Sequence, residues 1–296
     1  MGLLRPAHWV KNLVVLAPLV FAGRLFDAAS LRAELEMFAA FCLLASATYA
    51  LNDLHDAGGD RAHPVKRGRP LASGALGPAA AWLAALVCGG GGVLLGAHLQ
   101  RVAPPAGAGL AAVGPLGFCL AYLALTTAYT FGLRAVAGLD LLALATGFVL
   151  RAYAGSAALR LLPSHWLVIC GFALALFLAV GKRRLEVSQL GTAALAGRPA
   201  LAGWSLQALD RLVQVAAALA VLTYVVYTIS PETEAKMGSR NLVLSAPIVA
   251  WLVARARRRL RDDAAADPVE LVLRDPPTLL GLLAYGAVVL LVIYRR

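Results

Sequence analysis

Charge is what this sequence has least of. Only 15% of its 296 residues are Asp, Glu, Lys or Arg, while 60% are hydrophobic and mean hydropathy is +0.74. A soluble core cannot bury so much apolar surface, which excludes an ordinary water-soluble globular protein. Cysteine is scarce as well. Cys42, Cys88, Cys119 and Cys170 stand inside apolar runs without CxxC spacing, so neither a disulfide framework nor a zinc ribbon is suggested. The five histidines include no pair at ligand spacing, which argues against a zinc site. Acidic residues are outnumbered, 16 against 27 basic ones, for a net charge of +11. Those cations fall in short stretches between apolar runs, where lipid headgroups and phosphorylated substrates are nearer anions than nucleic acid, which is discounted as a partner.

What the chain has in abundance is apolar blocks long enough to cross about 30 Å of hydrocarbon, which takes roughly 20 helical residues each. Nine can be placed, near 10–26, 33–53, 78–99, 107–132, 137–158, 164–183, 207–230, 239–256 and 277–294. The expected fold is an all-α polytopic membrane bundle of nine transmembrane helices, formed as a single domain over 1–296. Gly89 to Gly92 are expected to loosen the third span, and Gly114-Pro115 to kink the fourth. The first block starts late and is interrupted by Pro18, so no cleaved leader is expected. With the N-terminus in the cytoplasm, about two thirds of the 27 basic residues fall on the inner side, as the positive-inside rule requires. The expected setting is the cell (inner) membrane, multi-pass, with the active site on the cytoplasmic side.

The second block runs directly into Asn52, Asp53, Asp56, Asp60 and Arg61, followed by His63, Lys66, Arg67 and Arg69, in the order NDxxDxxxDRxHPxKRxRP. On a continuing helix Asp53, Asp56 and Asp60 are at i, i+3 and i+7, so three carboxylates and the Asn52 amide share roughly one face. Like charges held together call for a cation, and hard oxygen donors suit Mg2+, with Mn2+ as the other candidate. The basic run behind them supplies counter-charge for phosphate that the metal leaves uncovered. The plain alternative is a solvated loop with internal ion pairs, but the density and order of ionisable groups exceed what topology signalling needs.

Two further clusters face the same side in this topology. Tyr129 and Arg134 follow the fourth block, with Asp140 and Arg151 on one side of the fifth. Arg151 lies well inside a span, where a charge is costly and marks a functional site by default. A substrate phosphate or carboxylate would satisfy it, and so would an interhelical ion pair. Gly181, Lys182 and Arg183 close the sixth block, where cations also suit a helix C-terminus. Lysine is rare, four against 23 arginines, yet Lys11, Lys66 and Lys182 all adjoin these clusters.

This layout resembles the UbiA superfamily of intramembrane prenyltransferases, and within it the decaprenyl-phosphate phosphoribosyltransferase branch. The residues carrying the likeness are Arg5 to Asn12 (RPAHWVKN), Asn52 to Pro70, Tyr129 to Arg134, Phe148 to Gly155, Gly181 to Arg183, Asp267-Pro268 and Asp275-Pro276. His8 stands where the branch has glutamine, and Arg134 where lysine is common. The resemblance implies a cytoplasm-facing cavity in which Asn52, Asp53, Asp56 and Asp60 hold Mg2+ against 5-phosphoribosyl 1-diphosphate. Phosphoribose would pass to a polyprenyl (decaprenyl) phosphate, a glycosyltransferase-type reaction of cell wall arabinogalactan synthesis. Catalytic roles fall to Asp53, Asp56, Asp60, Lys66 and Arg67. Substrate contacts fall to Lys11, Asn12, Arg61, His63, Arg69, Tyr129, Arg134, Asp140, Arg151, Lys182 and Arg183. Membrane lipids are partners, and a homo-oligomer is compatible with such a bundle.

Two other functions fit parts of the pattern. A UbiA-type prenyltransferase moving a prenyl group from a prenyl diphosphate to an aromatic or other acceptor would share the metal site. A transporter or lipid-binding membrane protein would also carry charge within its spans. The basic HPxKRxRP extension and the Lys182-Arg183 pair favour the more heavily phosphorylated substrates.

Overall fold

The computed structural model describes residues 2–62, 66–105, 109–162, 165–189, 204–261 and 275–295. Among them every regular element is a helix, and His63 and Asp267-Pro268 lie outside them. The chain opens with a 3-10 segment, Pro6–Leu16, continued by α1 (Ala17–Phe21). There follow α2 (Ala28–Ala62), α3 (Pro78–Val102), α4 (Pro115–Phe131), α5 (Leu139–Ala158), α6 (His165–Gln189), α7 (Leu206–Ile229), α8 (Pro231–Met237), α9 (Ala246–Arg261) and α10 (Pro276–Tyr294).

Six of these, α2, α3, α5, α6, α7 and α10, are long and apolar enough to cross a membrane. A seventh is made if α8 and Asn241–Arg261, bent by 103°, form one broken span. The break follows from Gly238, whose left-handed backbone (φ 63°) ends α8. Each of the nine apolar blocks contains helix, but Pro6–Phe21 and Pro115–Phe131 are shorter apolar helices. Length and composition therefore support a multi-pass membrane protein, with six or seven such spans among the described residues.

Two local expectations need correction. Gly114-Pro115 does not kink a helix: Gly114 is extended (φ −80°, ψ −179°) and α4 begins at Pro115. Proline suits the first helical position, where its missing amide hydrogen costs nothing, and it forces the preceding residue out of the helical region. Nor do the glycines of α3 loosen it, since the helix runs unbroken through them. They let helices approach closely: a Cβ on Gly92 would stand 2.7 Å from Leu44 and 2.9 Å from the Ala40 carbonyl of α2. Small residues at such crossings are how membrane helices gain packing contact.

The chain divides into two compact units, Met1–Gly132 with Leu150–Pro163, and Leu133–Val149 with Ser164–Arg296. The second half of α5 thus belongs to the first unit and its first half to the second. In the first unit Met37, Phe41 and Leu44 of α2 form the core with Phe118 and Tyr122 of α4 and Ala154 of α5. In the second, Phe177 and Leu185 of α6 pack with Leu209 and Val213 of α7 and with Val253 and Leu260 of α9. At 35 residues, α2 is about 52 Å long at 1.5 Å per residue, well over the hydrocarbon thickness of about 30 Å. Its last turns, which carry the aspartates, can therefore reach beyond the apolar layer.

Candidate active site

The helix α2 continues through Ala62, so the expected i, i+3, i+7 alignment of Asp53, Asp56 and Asp60 is realised in its backbone. The carboxylates do not simply converge on one another. Asp53 and Asp60 are buried and meet at a guanidinium: Arg69, from the turn after α2, lies 2.6 Å from Asp60 Oδ2 and 3.4 Å from Asp53 Oδ1. Arg5 donates to the same Asp53 Oδ1, with its guanidinium 5.0 Å from the centroid of the Tyr49 ring. Asp56 is half-buried on the same face. The fourth oxygen donor, Asn52, accepts from the Thr130 hydroxyl of α4 at 2.5 Å.

Arg5 is legible in the sequence only as part of the RPAHWVKN motif, not as a partner for Asp53 at a separation of 48 residues. One local feature marks it in the structure. Its backbone is left-handed (φ 48°, ψ 59°) at the entry to the Pro6–Leu16 segment, a conformation that costs a non-glycine residue roughly 1 kcal/mol. That segment is fixed to α2 by Trp9, whose ring N–H donates to Ser46 at 3.1 Å, and by Ser46, which donates to the Leu4 carbonyl at 2.9 Å. Lys11 is held half-buried there, Lys66 is half-buried beyond α2, and Arg61 and Arg67 are exposed.

Asn12 and Arg151 form the next layer of the first unit. Buried Asn12 accepts from Arg151 Nε at 2.7 Å, and Arg151 donates to the Tyr122 hydroxyl at 2.9 Å. The guanidinium also lies 4.7 Å from the Tyr122 ring centroid. An uncharged amide and an aromatic face thus help to solvate an intramembrane cation. Tyr129, near the end of α4, and Arg134, just beyond it in the second unit, are half-buried.

In the second unit the acids are matched differently. Asp140 is fully buried; it accepts the Gly138 N–H at 3.0 Å and a hydrogen bond from Arg183 Nε. Arg183 donates also to Glu186. Asp140 thus pairs with Arg183 of α6, within its own unit. Lys182 is half-buried. Arg184, the next residue of the same basic cluster, donates to Asp210 at 3.0 Å and to the Leu260 carbonyl at 2.7 Å.

Among the described residues no three acidic, histidine or cysteine side chains stand close enough to hold a metal by themselves. Magnesium does not require that, because it commonly takes one or two carboxylates and completes its octahedron with water and phosphate oxygens. The donors fit such an ion: carboxylate and amide oxygens only, two of the carboxylates already gathered around one cationic group, Arg69.

The UbiA prenyltransferase family model matches residues 14–274. This chain belongs to that family. Among its relatives, the decaprenyl-phosphate phosphoribosyltransferase of Mycobacterium tuberculosis is similar to this UbiA-family chain along almost the whole length, at 32% identity over 97% of this chain and 91% of that protein. The protein of the same name from Mycolicibacterium smegmatis is 38% identical over 62% of this chain and 55% of its own length, so that match spans about half of the relative. A UbiA homologue from Archaeoglobus fulgidus bound to DMAPP and Mg2+ superposes with a TM-score of 0.66, covering 98% of this chain and 95% of that one at 16% identity. At that identity the likeness bears on the fold alone, which is the helical UbiA fold.

Proposed function

We infer that this protein transfers 5-phosphoribose from 5-phosphoribosyl 1-diphosphate to a polyprenyl phosphate, releasing diphosphate. The observation that carries the reading is the excess of cation over acid around the end of α2. Five cations, Arg5, Arg61, Lys66, Arg67 and Arg69, stand against three acids, Asp53, Asp56 and Asp60; Arg5 and Arg69 bond Asp53 and Asp60, while Arg61 and Arg67 are exposed. A donor with a diphosphate and a 5-phosphate, and an acceptor with a further phosphate, would use these cations. The near full-length similarity to a protein named for this activity supports the same choice.

Asp53, Asp56, Asp60 and Asn52 would hold Mg2+, which supplies charge neutralisation at a diphosphate leaving group. Arg61, Lys66 and Arg67 stabilise the negative charge that grows on diphosphate as its bond to the anomeric carbon breaks. An ionised oxygen of the lipid phosphate forms the new bond at that carbon. No general base is required, because the attacking oxygen carries no proton. In the first unit Lys11 and Arg151, the latter bonded to Asn12, are assigned to a further phosphate, and Tyr129 to substrate contact on the sequence pattern. Arg134 and Lys182, which belong to the second unit, are assigned to phosphate on the sequence pattern alone. Arg183 and Asp140 are better suited to holding α5 and α6 together than to binding substrate. The site opens to the cytoplasm at the cell membrane, where soluble phosphorylated donors are available.

A second reading, prenyl transfer from a prenyl diphosphate, draws on the DMAPP-bound structural neighbour. Purified protein given labelled 5-phosphoribosyl 1-diphosphate, polyprenyl phosphate and Mg2+ should form a phosphoribosylated lipid identifiable by mass spectrometry. Prenyl transfer to an aromatic acceptor with no phosphoribosyl product would reverse the choice.

A further inference from the structure

Among the described residues only two other than glycine have positive φ, and both are arginines of the first unit: Arg5 and Arg160. Arg160 (φ 55°) follows the last turn of α5. Its N–H bonds the Ala157 carbonyl at 3.1 Å, and the Leu161 N–H bonds that of Ser156 at 2.8 Å. This is the helix-ending arrangement in which glycine is the usual residue at the left-handed position. An arginine there opposes backbone preference, and such outliers gather at ligand clamps.

The Arg160 side chain turns back to donate to the Val102 carbonyl at the end of α3. It forms the rim of a shallow, open cleft of about 40 Å³ between the start of α4 and the end of α5, lined by Leu110, Val113, Phe118, Tyr153 and Ala157. Concave apolar walls with a few placed polar groups are the usual makings of a ligand site. The floor is apolar, with Phe118 and Tyr153 stacked at 5.6 Å, and Leu110 and Leu162 at its mouth are exposed apolar residues. Two more arginines stand at this end of the unit. Arg101 sits in the last turn of α3, and Arg24 donates to the Leu159 carbonyl at 3.4 Å. Asp27 stands near Arg24, but among the described residues neither Arg101 nor Arg160 has an acidic partner.

The aspartates lie at the other end of α2, since the early Glu36 of that helix faces His98 near the end of α3 at 3.7 Å. We propose that this cleft binds an anionic phospholipid of the bilayer, with an acyl chain along Phe118, Tyr153 and Ala157 and the phosphate on Arg160. Charge complementarity selects the occupant: an apolar slot open at the surface of a membrane protein, with the Arg160 guanidinium at its rim and no acidic partner for it among the described residues, matches a lipid phosphate carrying a chain. The remaining N–H groups of Arg160 are donors beyond the one that a carbonyl engages. Such binding is independent of the transfer reaction inferred above.

The test is native mass spectrometry of the full-length protein in detergent, titrated separately with phosphatidylglycerol and phosphatidylcholine. The unmodified protein should hold one phosphatidylglycerol about tenfold more tightly than phosphatidylcholine, the scale of one charge-assisted contact. Arg160→Gly removes the guanidinium while supplying the residue this backbone favours, so thermal stability should hold and the preference vanish. Ala157→Trp fills the slot and should weaken both lipids. Equal binding of the two lipids by the unmodified protein, a preference that survives Arg160→Gly, or undiminished binding to Ala157→Trp would each overturn the proposal.

Discussion

The two units match acid with arginine in opposite ways. In the first, Asp53 and Asp60 are matched by arginines from outside the helices, Arg5 before the Pro6–Leu16 segment and Arg69 in the turn beyond α2. In the second, Asp140, Glu186 and Asp210 are matched by Arg183 and Arg184, consecutive residues of one long helix. A counter-ion on a connecting segment can exchange its carboxylate for a phosphate with little rearrangement. One fixed in a helix core, with backbone carbonyls among its partners, cannot. The contrast agrees with the chemistry proposed at the end of α2 and with an architectural role for the pairs at the end of α6.

The largest effect should follow from Asp53→Asn. It keeps shape and removes a carboxylate charge, and turnover should fall about 10²–10³-fold, the scale of losing one preorganised electrostatic group. A single-turnover assay of labelled phosphoribose transfer reads this directly. Asp56→Ala should behave alike, and unchanged turnover in both would remove the metal role from this helix. Next in size is Arg183→Gln, which deprives the buried Asp140 of its guanidinium and should cost about 3–5 kcal/mol of stability. Thermal unfolding in detergent checks it. If turnover per folded molecule falls while the unfolding temperature holds, Arg183 belongs with the substrate and the contrast between the units fails.

The legible parts of this molecule are those that depend on local spacing. Asp53, Asp56 and Asp60 lie on one helix because apolar residues carry α2 into the motif without a breaker, and an arginine within a span announces a polar network. Partner choice is not legible. Spacing aligns Arg151 with Asp140, yet Arg151 bonds Asn12, 139 residues away. Nothing in periodicity distinguishes those outcomes, because they depend on which helices meet. Gly114-Pro115 and Gly89 to Gly92 mislead for a similar reason. A Gly-Pro pair ends or starts a helix according to what precedes it, and a glycine run loosens a helix only if nothing packs into it; Leu44 does.

A smaller effect should separate strain from function at Arg5. Arg5→Gly suits the left-handed backbone (φ 48°), so the unfolding temperature should stay the same or rise slightly, while the loss of one cation at Asp53 should lower turnover about tenfold. A fall in stability instead would class Arg5 with the fixed arginines of the second unit.

The smallest effect concerns the fixed pairs at the start of α10. Asp275 caps that helix, accepting the Thr278 N–H at 3.1 Å, and takes two bonds from Arg255, through Nε and, at 2.7 Å, through a terminal nitrogen. The Arg255 guanidinium, then the Thr278 hydroxyl, hold its carboxyl well below the usual carboxylate range. A carboxyl lowered on folding adds stability that is fully present above its unfolded value, about 3.9, and is lost as pH falls through the folded value. The contribution of Asp275 should therefore be whole at mildly acidic pH and vanish only in strong acid. Asp275→Asn should remove that dependence, leaving a slightly less stable protein whose unfolding temperature falls less steeply below a pH of about 4. Equal slopes for the two proteins would mean that the Arg255 pair adds nothing to folding, so that a pair fixed within the second unit is no more architectural than those around Asp53.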